Sequence, residues 1–220
     1  MILIGLLVLA YLLGSTPTSL LLARLRGIDL RRWGSGNLGA TNLYRAVGLP
    51  LAFLCALIDV GKGFVPAWYF VRLDGVDAPQ LALAYGVAAI LGHVFSIWVK
   101  FRGGKGVATG AGVYLALAPL AVAMAAVIWL VVMLTIRIAS VGSLLAASAF
   151  PILIWVSGNG FDFVFWSSLP LTCFVWWTHR SNLRRLAAGR EPRTARAERG
   201  MSAEATSESE IGTGKAASEA

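Results

Sequence analysis

The first 23 residues carry no charged side chain, and about 20 apolar residues suffice to cross a bilayer as one helix. The stretch lacks the basic start of a signal peptide, so it is expected to stay in the protein. Apolar stretches of similar kind recur at 49–71, 81–99, 107–136, 140–156 and 161–178. Apolar side chains make up 57% of the 220 residues, more than one water-soluble core can bury. Residues 1–180 hold 12 Lys/Arg and 5 Asp/Glu, whereas the last 40 hold 7 and 6. An apolar body with a polar tail excludes a soluble enzyme, a disulfide-stapled secreted domain and a mostly disordered chain. The net charge of +8 would suit nucleic acid, but the basic residues sit beside apolar runs, where phospholipid headgroups and orientation account for them. No nucleic-acid partner is expected. Cys55 and Cys173 lie inside apolar runs and read as small packing residues.

Orientation decides how many spans there are. The 107–136 stretch is one long kinked helix or, if Pro119 marks a turn, two helices of which the first has about 11 residues. Two helices there make seven spans in all. Arg24, Arg26, Arg31, Arg32, Arg45, Lys100, Arg102, Lys105, Arg137, Arg180, Arg184 and Arg185 then share one side, leaving Arg72 opposite. The positive-inside rule makes the basic side cytoplasmic. The expected fold is therefore all-α, a polytopic membrane protein of about seven transmembrane helices, some short, with the N-terminus outside. Residues 1–186 form the membrane domain, and 187–220, rich in Ala, Gly, Ser, Glu and Arg, form a disordered cytosolic tail. Gly14, Ser15, Thr16, Pro17, Thr18 and Ser19 would be poor against lipid and are expected to face protein.

Three polar segments fall on the cytoplasmic side. The first is Gly34-Ser35-Gly36-Asn37-Leu38-Gly39-Ala40-Thr41-Asn42, followed by Arg45. Its glycines let the backbone fold back and present N–H groups, and Ser, Asn and Thr add short hydrogen-bonding groups that suit a phosphate. Gly34, Gly36 and Gly39 also match the dinucleotide-fold glycine spacing, but a membrane span precedes them rather than a strand. The second runs from His93 through Phe95, Ser96 and Trp98 to Lys100-Phe101-Arg102-Gly103-Gly104-Lys105-Gly106-Val107-Ala108-Thr109. A lysine among glycines at a helix start brings together a cation, backbone donors and a helix N-terminus, the elements of an anion site. It is not a Walker A loop. Lys105 alone also reads as a topogenic charge, and His93 as a structural residue holding the loop. The third is His179-Arg180-Ser181-Asn182-Leu183-Arg184-Arg185-Leu186. Arg180, Arg184 and Arg185 read as interface anchors, while His179 and Asn182, three apart, share a helical face, as do Ser140 and Ser143. Asp59 and Lys62 interrupt the second span at the same spacing, on one helical face.

Taken in order, these segments resemble the PlsY family of bacterial membrane glycerol-3-phosphate acyltransferases. The Gly-Ser-Gly-Asn-X-Gly-Ala-Thr-Asn loop with its Arg is one family signature, and His-X-Phe-Ser leading into Phe-X-Gly-Gly-Lys-Gly-Val-Ala-Thr is a second. The third matches His179, Asn182, Arg185, Leu186, Gly189 and Glu191, and the resemblance covers about residues 1–192. It implies transfer of a fatty acyl group from acyl phosphate to the 1-hydroxyl of glycerol 3-phosphate, giving lysophosphatidate and inorganic phosphate. The family assigns glycerol 3-phosphate binding and hydroxyl positioning to Ser35, Arg45, Lys105, His179 and Asn182. The backbone of Gly103, Gly104 and Gly106 would hold the acyl phosphate with Thr41 and Asn42. Gly36, Asn37, Gly39, His93, Ser96, Thr109 and Ser143 complete the expected substrate-binding set, with Asp59 and Lys62 in support. The proton acceptor is either His179 or a substrate phosphate. The resemblance implies no cofactor and no metal. The expected partners are the two substrates, membrane lipid and an upstream acyl-phosphate-forming enzyme, and the expected location is the bacterial cytoplasmic (inner) membrane. A small polytopic anion transporter is the reading from another class, because intramembrane Asp59 and Lys62 are of the type that marks ion pathways. An acyltransferase of the His-X4-Asp type is excluded, since Trp98 and Arg184 stand five residues after His93 and His179.

Overall fold

The computed structural model describes residues 2–76 and 78–194, and among them every regular element is helical. The first apolar stretch is two helices, α1 (Ile2–Ser15) and α2 (Thr18–Arg24). Pro17 has no N–H to donate and its ring crowds the turn before it, so the helix stops and restarts. The break lets the Ser15 carbonyl accept a hydrogen bond from Ser96 Oγ and the Thr16 carbonyl one from Lys62 Nζ at 3.0 Å. Gly14, Ser15, Thr18 and Ser19 are buried against protein, as their chemistry requires.

After a loop come the short α3 (Ala40–Val47) and α4 (Leu49–Val65), which runs through a widened turn at Pro66–Phe70 into α5 (Val71–Leu73). Next is α6 (Pro79–Val94). The 107–136 stretch divides into α7 (Val107–Leu117) and α8 (Pro119–Thr135). Ala118 leaves the helical region at φ −146°, ψ 67°, because a residue before proline is pushed out of the α conformation. Last are α9 (Ala139–Ile154), α10 (Phe163–Thr178) and α11 (Arg180–Ala187). Four helical stretches, Ile2–Arg24, Leu49–Leu73, Pro79–Val99 and Ala139–Gly158, are long and apolar enough to cross a membrane, and α7, α8 and α10 are shorter apolar helices. These are the seven apolar units expected from the sequence.

Lipid tails are as apolar as leucine, so helices in a membrane associate through close packing and polar contacts rather than by escaping water. Two crossings here depend on glycine. A Cβ on Gly14 of α1 would strike the backbone of Ala89 in α6, and one on Gly92 of α6 would strike the backbone of Tyr11 and Ser15. The α4–α7 crossing repeats the arrangement, with Gly63 against the Thr109 backbone and Gly112 against that of Val60 and Phe64. Inside this packing Lys62 Nζ lies 2.8 Å from Asp59 Oδ1, both side chains buried, as their shared helical face predicts. Removing one partner would strand the other's charge, at a cost of about 3–5 kcal/mol.

The basic segments converge at one end of the bundle. Thr178 Oγ1 donates to the Lys105 carbonyl at 3.1 Å, Arg45 Nη2 to the Pro192 carbonyl at 2.8 Å, and the Thr194 N–H to the Arg137 carbonyl at 2.7 Å. Arg72, in α5, stacks its guanidinium over Trp68 instead, 3.7 Å from the ring centre. The tail was expected to start at 187, where α11 does end, but residues 188–194 turn back and are tied down through Glu191, Pro192 and Thr194. The Glu191 carboxylate finds three donors there, Ser140, Asn182 and Arg185. The rest of the expected tail, 195–220, lies outside the described residues.

Seven crossings put the α5–α6 loop and the end of α11 on opposite sides. With Cys55 and Cys173 replaced by alanine, a cysteine at Val76 should react with a membrane-impermeant maleimide from outside, and one at Ala188 only from the cytosol. Labelling of both from the same side would contradict seven crossings.

Candidate functional site

The loop from Gly34 to Asn42 is organised by its last residue. Gly34 and Gly36 take φ of +56° and +67°, where a side chain is disfavoured. Asn42 turns its buried amide back onto the loop, accepting from the Ser35 N–H at 3.2 Å and donating to the Trp33 carbonyl at 3.1 Å. A Cβ on Gly34 would meet that amide. The fold leaves Ser35 exposed and places Arg45 in the last turn of α3, both lining the same cavity.

The second loop closes over the end of α6. The last carbonyls of a helix have no partner within it, and here the loop supplies them. The N–H groups of Gly103 and Gly104 donate to the carbonyls of Val94 and His93 at 2.9 and 3.0 Å. The His93 ring packs directly on Gly104, where a Cβ would collide with it. Gly106, at φ +82°, then caps α7, whose first N–H groups point out of the helix. Lys105 stands between, and among the described residues its ammonium forms no ion pair.

The third segment is built around Glu191. Its side chain is 5% exposed and takes the Arg185 Nε–H at 2.7 Å on Oε2. Oε1 accepts from Ser140 Oγ at 2.8 Å and from the Asn182 amide. Burial by itself would raise the carboxyl pKa, but the hydrogen bonds from Asn182, Ser140 and Arg185 outweigh it and hold the group below its ordinary value. His179 sits at the junction of α10 and α11, with Nδ1 2.8 Å from the Val175 carbonyl. A carbonyl only accepts, so Nδ1 carries the proton and Nε2 is left as an acceptor. Burial, with the Lys105 charge in addition, pushes the imidazole pKa down to about 4, so the ring is neutral at pH 7.

These groups share one cavity of about 1470 Å³. Its polar end holds Ser35, Thr41, Arg45, Lys105, His179, Asn182, Arg185 and Glu191. Its other end is apolar, with Phe53, Ala56 and Val60 from α4 and Val122, Ala125 and Trp129 from α8. Among the described residues, the buried donor Arg45 Nε and the buried acceptor Asn182 Oδ1 of its lining have no hydrogen-bond partner, and Asp59 Oδ1 has its ion pair with Lys62 instead. Four cations, Arg45, Lys105, Arg137 and Arg185, meet two carboxylates, Glu191 and the Lys62-paired Asp59, and this excess of positive charge suits an anion. Among the described residues no group of three His, Cys, Asp or Glu side chains is placed to hold a metal ion.

Of the residues expected at the site, Ser35, Asn37, Gly39, Thr41, Asn42, Arg45, His93, Lys105, Gly106, Ser143, His179 and Asn182 line this cavity, and so does Asp59. Gly36, Ser96, Gly103, Gly104, Thr109 and Lys62 do not. Gly103 and Gly104 are corrected from phosphate donors to caps of α6, because their N–H groups are already engaged. Ser96 is bound to the Ser15 carbonyl and Thr109 is fully buried at the α4–α7 crossing. With Asp59, Lys62 and His93, Ser96 and the two glycines line a separate cavity of about 10 Å³. Arg185, read as an anchor, instead faces the site and pairs with Glu191, while Arg180 stacks on Trp177 at the surface as an anchor should. Glu191 and Ser140 carry more of the site than their sequence context suggested. Their only signals were the third motif's terminal Glu and the i, i+3 serine pair.

Burial is the main cause that lowers the Lys105 pKa from 10.5 to about 8, and the nearby Glu191 charge opposes the fall. Competitive acylation of this amine should therefore reach half its limiting rate near pH 8. In Glu191→Gln, which removes the charge that favours the ammonium, the midpoint should fall further. A midpoint at or above 10 would show that Lys105 is not buried at the cavity.

The family profile for glycerol-3-phosphate acyltransferase matches residues 4–189. The glycerol-3-phosphate acyltransferase of Trichlorobacter lovleyi is 44% identical over 182 residues, which is 83% of this chain and 92% of that protein. That of Myxococcus xanthus is 43% identical over 190 residues, 86% of this chain and 98% of the relative. Among solved structures, PlsY, an integral membrane glycerol 3-phosphate acyltransferase in its glycerol 3-phosphate form, superposes with a TM-score of 0.79 at 37% identity, covering 87% of this chain and 94% of that one. Its lysophosphatidic acid form gives 0.77 at 36% identity, with the same coverage. With nearly the whole membrane body matched by the family and its three polar segments gathered at one cavity, the chain belongs to the glycerol-3-phosphate acyltransferases of the PlsY type.

Proposed function

We propose that this protein transfers a fatty acyl group from acyl phosphate to the 1-hydroxyl of glycerol 3-phosphate, at the cytoplasmic face of a bacterial inner membrane. The observation that carries the reading is the cavity's division into a cationic end and an apolar end. Both substrates bear phosphate, and one also bears a hydrocarbon chain. Arg45 and Lys105, with Ser35, form the pocket for glycerol 3-phosphate, and the unpartnered Arg45 Nε gains an acceptor when phosphate binds. Asn182 Oδ1 and His179 Nε2, both acceptors, are matched to the two hydroxyl groups of the glycerol. The N–H groups at the start of α7, with Gly106, Thr41 and Ser143, serve the acyl phosphate, and its chain lies along α4 and α8. Gly103 and Gly104 have no donor left for it.

In the reaction the 1-hydroxyl oxygen attacks the acyl carbonyl carbon, the bond from that carbon to the phosphate oxygen breaks, and an ester forms. Phosphate leaves readily, so no strong general acid is required. The proton goes to the departing phosphate as hydrogen phosphate. A neutral imidazole with a conjugate-acid pKa of about 4 is a weak base, which favours a hydroxyl-orienting role for His179 and phosphate as the proton acceptor. The transporter reading is weaker, because Asp59 and Lys62 neutralise each other in the helix packing. An upstream enzyme that makes acyl phosphate is the partner this reading requires.

Purified protein given glycerol 3-phosphate should form lysophosphatidate with acyl phosphate and not with acyl-CoA. Product from acyl-CoA alone would overturn the donor assignment. Charge-assisted hydrogen bonds are worth about 1.5–3 kcal/mol. Lys105→Met and Arg45→Lys should therefore insert normally yet lose roughly tenfold to a hundredfold in kcat/KM. Arg180→Lys should change little. Near-wild-type activity in both site variants would refute the phosphate assignment.

A further inference from the structure

We propose that Asp59, Lys62 and His93 form a positioning device for Lys105, acting through the Gly103–Gly104 backbone; this rests on the reading of Lys105 as a glycerol 3-phosphate ligand. Packing alone does not call for two charges and an imidazole here. A buried ion pair is costly to desolvate, and apolar side chains of the same size fill such space at least as well. The three groups are instead arranged in a line that ends at the substrate loop.

The line starts at the break between α1 and α2. Lys62 Nζ is fixed by the Thr16 carbonyl at 3.0 Å and by Asp59 Oδ1 at 2.8 Å. Asp59 Oδ1 in turn faces His93 Nδ1 at 3.9 Å, and Cys55 Sγ approaches Asp59 Oδ2 at 3.6 Å. The other side of the His93 ring presses on Gly104, where no side chain would fit. The ring therefore acts as a stop that sets how closely the loop approaches α6, and the Gly103 and Gly104 N–H bonds to Val94 and His93 hold the loop against that stop. Lys105 is the next residue, and its own carbonyl is held by Thr178 Oγ1 at 3.1 Å. Its backbone is thus fixed from both sides while its ammonium stays free of ion pairs among the described residues. A displacement of about 1 Å in such a group costs on the order of a hundredfold in rate.

Asp59→Leu combined with Lys62→Met removes the device without leaving an unpaired charge, and both replacements keep size and helix propensity. This double variant should insert and melt like the parent. Its KM for glycerol 3-phosphate should rise roughly tenfold or more, while its KM for the acyl donor stays within about twofold. His93→Asn, which shortens the stop against Gly104, should give the same split. A well-folded double variant with an unchanged KM for glycerol 3-phosphate would overturn the proposal. If the double variant fails to fold, His93→Asn decides by the same criterion. Lys105→Met is the control. Were its KM for glycerol 3-phosphate unchanged, the reading of Lys105 would fall and this proposal with it. A raised KM in Lys105→Met beside unchanged KM in the other two would reject the positioning role alone.

Discussion

A single buried carboxylate holds the charged end of this protein together. Arg45, Lys105, Arg137 and Arg185 all line one cavity, and four cations at the edge of a hydrocarbon core repel one another and lose hydration. Glu191 answers both problems, because it accepts three hydrogen bonds and stays ionised despite its burial. In doing so it joins α9, through Ser140, to α11, through Asn182 and Arg185, and draws residues 188–194 back over the site. The Pro192 carbonyl then reaches Arg45. With Asp59 held by Lys62, Glu191 against Arg45, Lys105, Arg137 and Arg185 leaves the cavity cationic, and Lys105 forms no ion pair among the described residues. On the proposed function, an incoming phosphate would complete the neutralisation.

The rest of the bundle places this cluster beside an apolar chamber. Close glycine crossings of α1 on α6 and α4 on α7 fix those four helices as a block, while α4 and α8 each supply side chains to the cavity's apolar end. Two helices of that block, α4 and α6, also carry the Asp59–Lys62–His93 line, which Lys62 anchors to the Thr16 carbonyl just beyond the end of α1. Structure and proposed chemistry are joined at the backbone of Gly103 and Gly104.

Much of this was legible in the sequence. The division of 107–136 followed from Pro119 and charge sidedness, and it appears at Ala118 with a first helix of 11 residues. The Asp59–Lys62 pair followed from helical spacing. Residues of all three polar segments line one cavity, and the segments stood out because their motifs are long and their glycines have few other uses. What escaped depended on partners distant in the chain. Nothing local shows that the Gly103 and Gly104 N–H groups would be taken by α6 carbonyls, since that depends on where the loop folds. Arg185 looked like its neighbours Arg180 and Arg184, and only the return of the chain at Glu191 sets it apart. The break at Pro17 was hidden by an uninterrupted lack of charge, which reports on lipid exposure rather than on backbone continuity.

The central claim is that the cationic end of the cavity, and not the basic surface outside it, receives the substrate phosphate. A crystal structure of this protein with glycerol 3-phosphate tests that most directly. The account predicts phosphate density in contact with Arg45 and the Lys105 ammonium, with the glycerol hydroxyls toward His179 Nε2 and Asn182 Oδ1. Phosphate density on Arg180 and Arg184, with the cavity unchanged, would contradict it.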